Sequence, residues 1–369
     1  MQEAMNKKRR LVYITNDSWW DTDVSVLPDL SRECDLEVFC LSPKDAAERK
    51  FREKSLPEGV KFHDCRFGRS KKDPRMALSS FFYGIRILSA IRGKTAVWVL
   101  DNNIWYGYLF IALASAARVI VSVHNYSDHT DARAWERKMK EAVLRKFLFF
   151  HFQSPMQESV FKNDYPDKRS FSTVMQVKDF GSPSGRVAMP NNGRRTYLFF
   201  GYLRDYKRPD LFIKASEILD GKANFVMAGT GENLQKYRDM IKAGNSIKCC
   251  FRLIDDGEIP DYFANADFLV LPYEDSTQSG PLLIAYNYGL PVIASRLPYF
   301  SQMIDNGVTG FLFDSGEVNS LVGAIEQSLA MSNNEYREMR IATKAKADSY
   351  KVLSNYSESL VNFLSQNGL

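Results

Sequence analysis

The turn "EDSTQSG" at residues 274–280 lies between an apolar run that predicts a strand and a segment that predicts a helix. Pro281 follows it, in the first helical turn, where the missing N–H of proline costs nothing. The N–H groups of Gln278, Ser279 and Gly280 are then expected at a helix N-terminus, where unpaired donors and the helix dipole favour an anion. The turn therefore predicts a phosphate-binding site. An ordinary capped turn without a ligand is the alternative.

Basic residues follow a second predicted strand, in the stretch "FFGYLRDYKRPDLFIKA". Gly201 ends the strand, and the loop after it carries Arg204, Lys207 and Arg208. An amphipathic helix is predicted from about Pro209. Cations just past a strand end can neutralise a diphosphate leaving group, and Arg does so with two parallel hydrogen bonds. The alternative is a set of solvated surface charges.

Two more strand ends carry candidate ligand contacts. The stretch "VMAGTGEN" turns at Gly229, which is a weak glycine signal by itself. In "VSVHNYSDH", His124 stands at the end of a predicted buried strand, where it can hydrogen-bond or polarise a ligand. A core histidine satisfied by the backbone is the alternative. His129 is expected on the surface.

Short apolar runs alternate with helix-length segments along the whole chain. Continuous apolar strands separated by helices indicate parallel sheets covered on both faces, and hence two doubly wound α/β domains. Ligands of such sheets bind beyond the carboxyl ends of the strands, near the topological switch point. The predicted strands are residues 10–15, 36–42, 96–101, 118–124, 147–154, 196–203, 224–229, 247–251, 267–273 and 291–295.

Three local signals indicate where elements end and domains meet. Gly289 is expected to close the helix after Pro281 as a left-handed cap. Gly, Pro, Ser and Asn cluster at residues 179–195, which predicts the seam between the domains. The tail from about Tyr350 spaces its apolar residues helically, and we expect it to cross back onto the first domain.

Charge is distributed unevenly along the 369 residues. The formal net charge is +5, and residues 1–190 carry 31 basic and 23 acidic side chains. Such a bias suits an acidic partner such as anionic lipid, a phosphorylated acceptor or nucleic acid, with solvated surface charge as the alternative.

Cysteine usage and apolar runs bear on the compartment. The five cysteines have no metal-type spacing, and their odd number argues against a disulfide framework, which favours a reducing compartment. The basic residues 1–10 precede an apolar run too short for a signal peptide. Residues 104–123 are the one candidate membrane span, but Arg118 divides them into a helix-like and a strand-like piece, as in a buried α/β layer.

In combination, these motifs resemble family 4 glycosyltransferases of the GT-B architecture, which are retaining enzymes that use nucleotide sugars. The resemblance is strongest over 197–329, including "DYFANADFLVLP", "GLPVIAS" and "NGVTGFLF", and is weaker over the first domain. It implies two Rossmann-like doubly wound domains facing across a cleft, with a C-terminal helix crossing back. The implied domains are 1–190 for the acceptor, 191–345 for the nucleotide sugar and 346–369 for the returning helix.

Carried over by position, the resemblance implies that Lys207 contacts the donor diphosphate and that the amides of 278–280 cradle it. Residues 252–258 would lie near the base, and His124 falls where similar enzymes contact the donor sugar. No metal or other cofactor is expected, because cations and helix amides take the charge of the departing nucleoside diphosphate. The predicted donor-binding residues are Gly201, Arg204, Arg208, Gly229, Gln278, Ser279 and Gly280, and the predicted catalytic residues are His124, Lys207 and Glu274.

The sequence departs from the family pattern at several positions. The family usually has two glutamates eight positions apart, where this chain has Ser276 and Ile284. The second usually holds the ribose hydroxyls, so Ile284 puts nucleotide affinity or choice in doubt. Glu274 either reaches the sugar instead or faces water, and Tyr202 replaces an arginine for which a neighbouring arginine is expected to substitute. A branch of the family carries a TQSG turn, and this sequence resembles that branch.

Two further features concern the acceptor side. Trp19 and Trp20 are candidates for an acceptor platform, because sugars stack on aromatic faces, and hydrophobic packing is the alternative. Segment 68–94 flanks an apolar helical face with Lys and Arg, which is typical of peripheral membrane contact. A wall of the first domain is the alternative for this helix.

The sequence thus predicts transfer of a sugar from a nucleotide diphospho-sugar to a saccharide or lipid-linked saccharide, in cell-surface polysaccharide or glycan biosynthesis. A cytoplasmic location is expected, peripheral at the inner membrane face, without a nucleic-acid partner. The alternative is a catalytically silent GT-B protein that binds a nucleotide sugar or a partner enzyme, which the missing carboxylates motivate. An epimerase is disfavoured because its acidic and histidine constellation is not visible.

Overall fold

The structure is a computed structural model that describes residues 8–16, 19–43, 56–67, 74–100, 106–124, 126, 134–175, 177, 179–242, 244–353 and 355–369. The chain forms two compact units. Unit 1 comprises Met1–Met175 and Leu353–Leu369, and unit 2 comprises Gln176–Val352.

Unit 1 contains a seven-stranded parallel sheet with helices between its strands. The strands are β1 (Arg9–Asn16), β2 (Cys34–Pro43), β3 (Lys61–Phe67), β4 (Thr95–Val99), β5 (Val119–Val123), β6 (Phe149–Phe152) and β7 (Arg169–Ser172). The helices are α1 (Trp20–Glu33), α2 (Pro74–Ala90), α3 (Tyr106–Leu113), α4 (Ala134–Lys146), α5 (Pro155–Asp164) and, at the C-terminus, α13 (Tyr356–Gln366). The strand order is β3-β2-β1-β4-β5-β6-β7.

Both faces of the unit 1 sheet are buried, because successive side chains of a strand point to opposite faces. On β1, Val12 and Ile14 belong to one core cluster, and Leu11 and Tyr13 belong to the other. The second cluster also contains Leu360 and other residues of α13. The C-terminal helix therefore covers the same face as α1, as the apolar spacing of the tail predicted.

Unit 2 contains a six-stranded parallel sheet. Its strands are β8 (Thr196–Phe200), β9 (Asn224–Gly229), β10 (Lys248–Phe251), β11 (Phe268–Leu271), β12 (Val292–Ser295) and β13 (Gly310–Phe313). Its helices are α6 (Pro209–Ile218), α7 (Leu234–Met240), α8 (Ile259–Asn265), α9 (Gly280–Asn287), α10 (Pro298–Met303), α11 (Val318–Ala330) and α12 (Asn333–Leu353), with single 3₁₀ turns at Asp205–Lys207 and Asp256–Glu258. The strand order is β10-β9-β8-β11-β12-β13.

The two sheets share one topology, that of a doubly wound nucleotide-binding fold. The order reverses between β1 and β4 in unit 1 and between β8 and β11 in unit 2. The prediction of two doubly wound α/β domains is confirmed, and all ten predicted strands are present. Three strands were missed, namely β3, β7 and β13, and each lies at the edge of its sheet.

The predicted starts and ends of the helices are also confirmed. Helix α6 begins at Pro209, and α9 has Pro281 in its first turn. Gly289 follows the end of α9 with φ +58°, as a left-handed cap requires. The apolar run 104–123 contains α3 and β5, a helix and then a strand. Within the described residues, none of the helices has the length and hydropathy needed to cross a bilayer.

A buried histidine makes unit 1 sensitive to acid. His151 on β6 is almost fully buried, with Nδ1 2.8 Å from the Ser122 hydroxyl oxygen and Nε2 2.8 Å from the Thr173 hydroxyl oxygen. Burial lowers the pKa of His151 to about 3. An unfolded histidine titrates near pH 6.5, so below that pH the unfolded chain binds a proton that the folded chain does not.

We therefore expect the free energy of unfolding of unit 1 to fall between pH 6.5 and pH 5 by about 1.4 kcal/mol per pH unit through this residue. His151→Gln, which stays neutral, should flatten that dependence. All five tryptophans lie in unit 1, so urea unfolding followed by tryptophan fluorescence reports on this unit. An unchanged pH dependence in His151→Gln would contradict the assignment.

Candidate active site

Two loops of unit 2 meet where the strand order reverses. One follows β8 and carries Lys207, and the other follows β11 and carries Glu274. The backbone N–H of Glu274 donates to the Tyr206 carbonyl oxygen at 2.7 Å, which ties the two loops together. The structure therefore brings together the two motifs that sequence analysis singled out separately.

The glycine turn after β9 packs against the β8 loop through backbone alone. Gly229 has φ +147°, and a Cβ placed on it would lie 1.8 Å from the Gly201 carbonyl oxygen. The Gly201 N–H donates to the Ala228 carbonyl at 3.0 Å, and the Leu203 N–H donates to Thr230 at 2.7 Å. Gly229 is therefore required for loop packing, a reason that the sequence did not reveal.

Lys207 is a partly buried cation without a counter-charge. Its ammonium nitrogen lies 5.4 Å from the centroid of the Tyr273 ring and would lie 3.8 Å from a Cβ built on Gly201. Among the described residues it forms no ion pair. Burial, and secondarily the positive charge of Arg204, lowers the pKa of Lys207 to about 8. A desolvated ammonium beside an open strand end is suited to receive an anion.

The other two predicted cations of this loop have different surroundings. Arg208 donates from Nε and Nη2 to Asp210, each at 2.8 Å, and from Nη1 to Glu274. The hydrogen bonds to Asp210, and secondarily the one to Glu274, raise the pKa of the Arg208 guanidinium above its ordinary value. Arg208 therefore bridges two carboxylates and fixes Glu274, whose side chain is half exposed. Arg204 is exposed, with its guanidinium carbon 5.2 Å from the Tyr202 ring centroid.

The N-terminus of α9 is only partly satisfied by its own cap. The Ser279 hydroxyl oxygen accepts from the Leu282 N–H at 3.4 Å, and the Ser279 carbonyl accepts from Leu283 at 3.3 Å. Pro281 has no N–H. Within the described chain, the N–H of Gly280 donates to no other group. This donor and the helix dipole are the features from which the TQSG turn predicts an anion site.

Aromatic rings that sequence analysis did not select surround the turn. Tyr273 is buried, and its hydroxyl makes no hydrogen bond with the described residues. Burial raises the pKa of the Tyr299 hydroxyl, and the Ser279 N–H that donates to its oxygen acts in the opposite direction. The sequence signal for Tyr273 as a site residue was its position directly after the apolar run "DFLVLP". The same position is equally typical of a residue that ends a strand.

The two positions at which the family usually has glutamates are occupied by neutral, buried side chains. The Ser276 hydroxyl donates to the Gln278 carbonyl at 3.1 Å, so it supports the turn itself. Ile284 lies on α9 and is buried. In the loop after β10, Arg252 makes two hydrogen bonds with Glu258, of 2.6 and 2.7 Å, beside the exposed side chain of Leu253.

In unit 1, His124 directly follows β5, at the carboxyl end of the sheet as predicted. Its Nδ1 lies 3.0 Å from the Gln153 side-chain oxygen, which can only accept, so Nδ1 carries the proton. The ring centroid of His124 is 3.7 Å from that of Trp19. Trp20 is buried in the core, so it is not part of an exposed platform. His129 lies outside the described residues.

The region that contains the candidate site of unit 2 is similar to known proteins. Residues 186–347 match the family Glycosyl transferases group 1. The chain is 22% identical over 236 residues to an uncharacterized 41.2 kDa protein in the cps region of Klebsiella pneumoniae, a match covering 60% of this chain and 64% of that protein. It is 27% identical over 135 residues to 2-deoxystreptamine N-acetyl-D-glucosaminyltransferase of Niallia circulans, covering 35% of this chain and 34% of that enzyme.

A solved structure extends the likeness to both units. Anabaena HepE in complex with UDP and glucose matches with a TM-score of 0.73 at 14% identity, covering 97% of this chain and 100% of that one. The chain has the GT-B fold, and its residues 186–347 match a glycosyl transferase domain of group 1. All predicted donor-site residues of unit 2 lie within this glycosyl transferase domain, whereas His124 lies outside the matched region.

The contact between Gly201 and Gly229 should be essential for the stability of the glycosyl transferase domain. We expect Gly229→Ala to lower the free energy of unfolding by about 3 kcal/mol or more, because the new methyl group meets a backbone carbonyl. Gly221→Ala is the matched control, with φ +74° and nothing within 4 Å of the added Cβ, and should cost only about 1–2 kcal/mol.

Urea unfolding followed by far-ultraviolet circular dichroism measures both changes. Tryptophan fluorescence of unit 1 should stay unchanged in each variant. Equal losses for Gly229→Ala and Gly221→Ala would show that backbone strain, and not the contact with Gly201, determines the cost.

Proposed function

We propose that the protein is a retaining glycosyltransferase that moves a sugar from a nucleoside diphosphate sugar to a hydroxyl of a saccharide or lipid-linked saccharide. The observation that carries this proposal is the ammonium group of Lys207, which has no carboxylate partner among the described residues. It lies on one of two joined loops, and the other loop presents the N–H of Gly280. Both loops lie at the switch point of a group 1 glycosyl transferase domain.

The chemistry requires charge stabilisation on the leaving group. The bond between the anomeric carbon and the diphosphate oxygen breaks, and the electron pair stays on that oxygen. Lys207 and the N–H of Gly280 would hold the developing negative charge, as preorganised donors do for an oxyanion. The acceptor hydroxyl forms the new bond to the anomeric carbon and loses its proton. Since this ammonium group and this amide are positioned for the diphosphate, we expect no metal to be needed.

The remaining candidate residues receive supporting roles in this proposal. Arg208, neutralised by Asp210 and Glu274, would position Glu274 at the sugar side of the diphosphate. Arg204, whose guanidinium stacks on Tyr202, is exposed and would reach the outer phosphate oxygens. For His124 we keep the contact with the donor sugar that the resemblance implies.

For the donor, a UDP-sugar is the first candidate. The structural neighbour HepE is described in complexes with UDP and with UDP-glucose. Ile284 cannot accept the ribose hydrogen bonds that a glutamate would, so the choice of base must be measured. A thermal-shift screen against UDP-, GDP-, ADP- and CMP-sugars identifies the donor, because a ligand that binds only the native state raises its melting temperature.

For the acceptor, we propose cell-surface polysaccharide or glycan biosynthesis on the cytoplasmic side of a membrane. The likeness to a protein in the Klebsiella pneumoniae cps region supports this pathway. Free thiols, buried at Cys34 and Cys65 and exposed at Cys249, fit a reducing compartment. The domain division predicted from sequence assigns the acceptor to residues 1–190 and the donor to 191–345.

A catalytically silent nucleotide-sugar binder is the second candidate function, which the neutral residues Ser276 and Ile284 favour. Slow hydrolysis of the donor in the absence of acceptor separates the two. Release of nucleoside diphosphate that depends on Lys207 supports the enzyme, and tight binding without release supports the silent protein.

Lys207→Ala tests the leaving-group assignment directly. We expect donor hydrolysis by this variant to slow by about 2–4 kcal/mol of transition-state stabilisation, or roughly thirtyfold to a thousandfold. Lys214→Ala is the control, because Lys214 is an exposed lysine on α6. The measurement is nucleoside diphosphate release over time. A Lys207→Ala rate within twofold of the control would remove Lys207 from the mechanism.

The lowered pKa of Lys207 predicts a pH dependence of UDP binding. The protonated ammonium is the form that attracts the diphosphate, and the free protein loses this proton above about pH 8. The affinity for UDP should fall only about twofold from pH 7 to pH 8, where half of the ammonium groups have lost the proton. Above pH 8 it should fall up to tenfold per pH unit, until the raised pKa of the complex is reached.

Isothermal titration calorimetry between pH 7 and pH 9.5 measures this dependence. Lys207→Arg, which remains charged over the whole range, should bind UDP with a flat profile. A wild-type affinity that does not change up to pH 9.5 would contradict the assignment of Lys207 as the titrating contact.

A further inference from the structure

Helix α2 of unit 1 exposes an apolar stripe to solvent. Leu78, Phe81, Phe82 and Ile85 follow one another at helical spacing and lie on one side of the helix. Each leaves between 46% and 61% of its surface exposed. The opposite side of the helix is also apolar, since Ile87 is fully buried in the sheet core. A surface helix of a globular protein normally has polar residues on its outer face.

The neighbouring helix also exposes an apolar side chain. Helix α3 packs beside α2, and its Leu113 is 64% exposed. The rings of Phe81 and Phe82 contact each other edge to face, with their centroids 6.0 Å apart. Exposed apolar side chains on two helices that contact each other are the kind of feature that marks an interaction surface.

The segment of sequence that contains the stripe is basic, although two of its cations, Arg66 and Lys94, form ion pairs with Asp64 and Glu37. Residues 66–94 contain eight Lys and Arg side chains and a single acid, Asp73. Helix α2 itself contains no acidic residue. Arg86, on the exposed side of α2, donates to His63 at 2.9 Å, and Arg92 just beyond the helix is exposed. Apolar and aromatic side chains bordered by cations are typical of helices that lie in the interface of an anionic bilayer.

The same charges argue against the other occupants of such a face. Pairing two copies of this chain through α2 would bring two strongly positive segments together, which is repulsive. A protein partner would need a matching acidic apolar surface, whereas an anionic bilayer offers negative charge and hydrocarbon over any area.

We propose that α2 docks unit 1 onto an anionic lipid surface, with Leu78, Phe81, Phe82 and Ile85 entering the interface and the basic residues contacting headgroups. This surface is separate from the donor site of unit 2. It would place a lipid-linked acceptor beside the acceptor unit of the proposed function. The docking itself needs neither donor nor catalysis.

The test is flotation of the full chain with vesicles of phosphatidylglycerol and phosphatidylcholine, or of phosphatidylcholine alone. Wild-type protein should float with the anionic vesicles and not with the neutral ones, and added salt should weaken binding. The Phe81→Ser/Phe82→Ser variant should lower the partition coefficient at least tenfold. Lys71→Gln/Lys72→Gln should lower it on the order of tenfold and reduce the salt dependence.

Ile218→Ser/Ile341→Ser is the matched control. These residues of unit 2 are 52% and 63% exposed, almost the same fractions as Phe81 at 51% and Phe82 at 61%. The control should bind vesicles like the wild type. Tryptophan fluorescence and an unchanged unfolding midpoint show that the Phe81→Ser/Phe82→Ser variant is folded.

Three outcomes would overturn the proposal. Wild-type protein that stays in solution with anionic vesicles excludes the docking surface. Equal flotation of the Phe81→Ser/Phe82→Ser variant and the wild type excludes the stripe. A wild-type dimer that the same variant converts to a monomer, without vesicle binding, assigns the stripe to self-association. Lys207→Ala should leave flotation unchanged, so failure here and failure of the proposed function are distinguishable.

Discussion

The candidate site of unit 2 depends on the charge of Lys207, which has no carboxylate partner among the described residues. Desolvation makes a buried ammonium costly, and the pKa of about 8 records that cost. The loop can hold the charge there because it is fixed on both sides, by the backbone contact between Gly201 and Gly229 and by the Glu274 N–H bonded to Tyr206. An anionic ligand would remove the penalty, so the same interaction that weakens the empty domain would strengthen the complex.

Most of the fold follows from apolar runs, and two of the three missed strands have a common physical reason, whereas β13, "GFLF", is apolar and only four residues long. All strands buried between two neighbours were predicted, because both of their faces are covered by helices and their sequences are continuously apolar. The missed strands β3, β7 and β13 are sheet edges. Edge strands face solvent on one side and tolerate polar residues, as "KFHDCRF" and "RSFS" show, so their sequences resemble loops.

The sequence predicted which residues line the candidate site, but it did not predict which of their side chains hydrogen-bond to each other. Strand ends and a proline in the first helical turn located the loops of Lys207 and Gly280. No sequence spacing revealed that Arg208 is shared by Asp210 and Glu274, because that network joins two loops 66 residues apart. The same limit applies to Trp20, whose burial depends on the packing of α1 against the sheet. Long-range contacts of this kind are decided by tertiary structure.

The absence of the two family glutamates is expected to have opposite effects on the binding of the diphosphate and of the ribose of a nucleotide. Ser276 and Ile284 are neutral, and the nearby acids Glu274 and Asp205 are already engaged, with Arg208 and with Lys236 and Tyr237. The loops therefore repel a diphosphate less than they would with two additional carboxylates. The attraction between Lys207 and a diphosphate does not require those carboxylates. The ribose, in contrast, loses a hydrogen-bond acceptor that the buried Ile284 cannot replace. Selection of the nucleoside would then depend on other groups, and the loop at 252–258, which exposes Leu253, is the candidate that the family resemblance indicates.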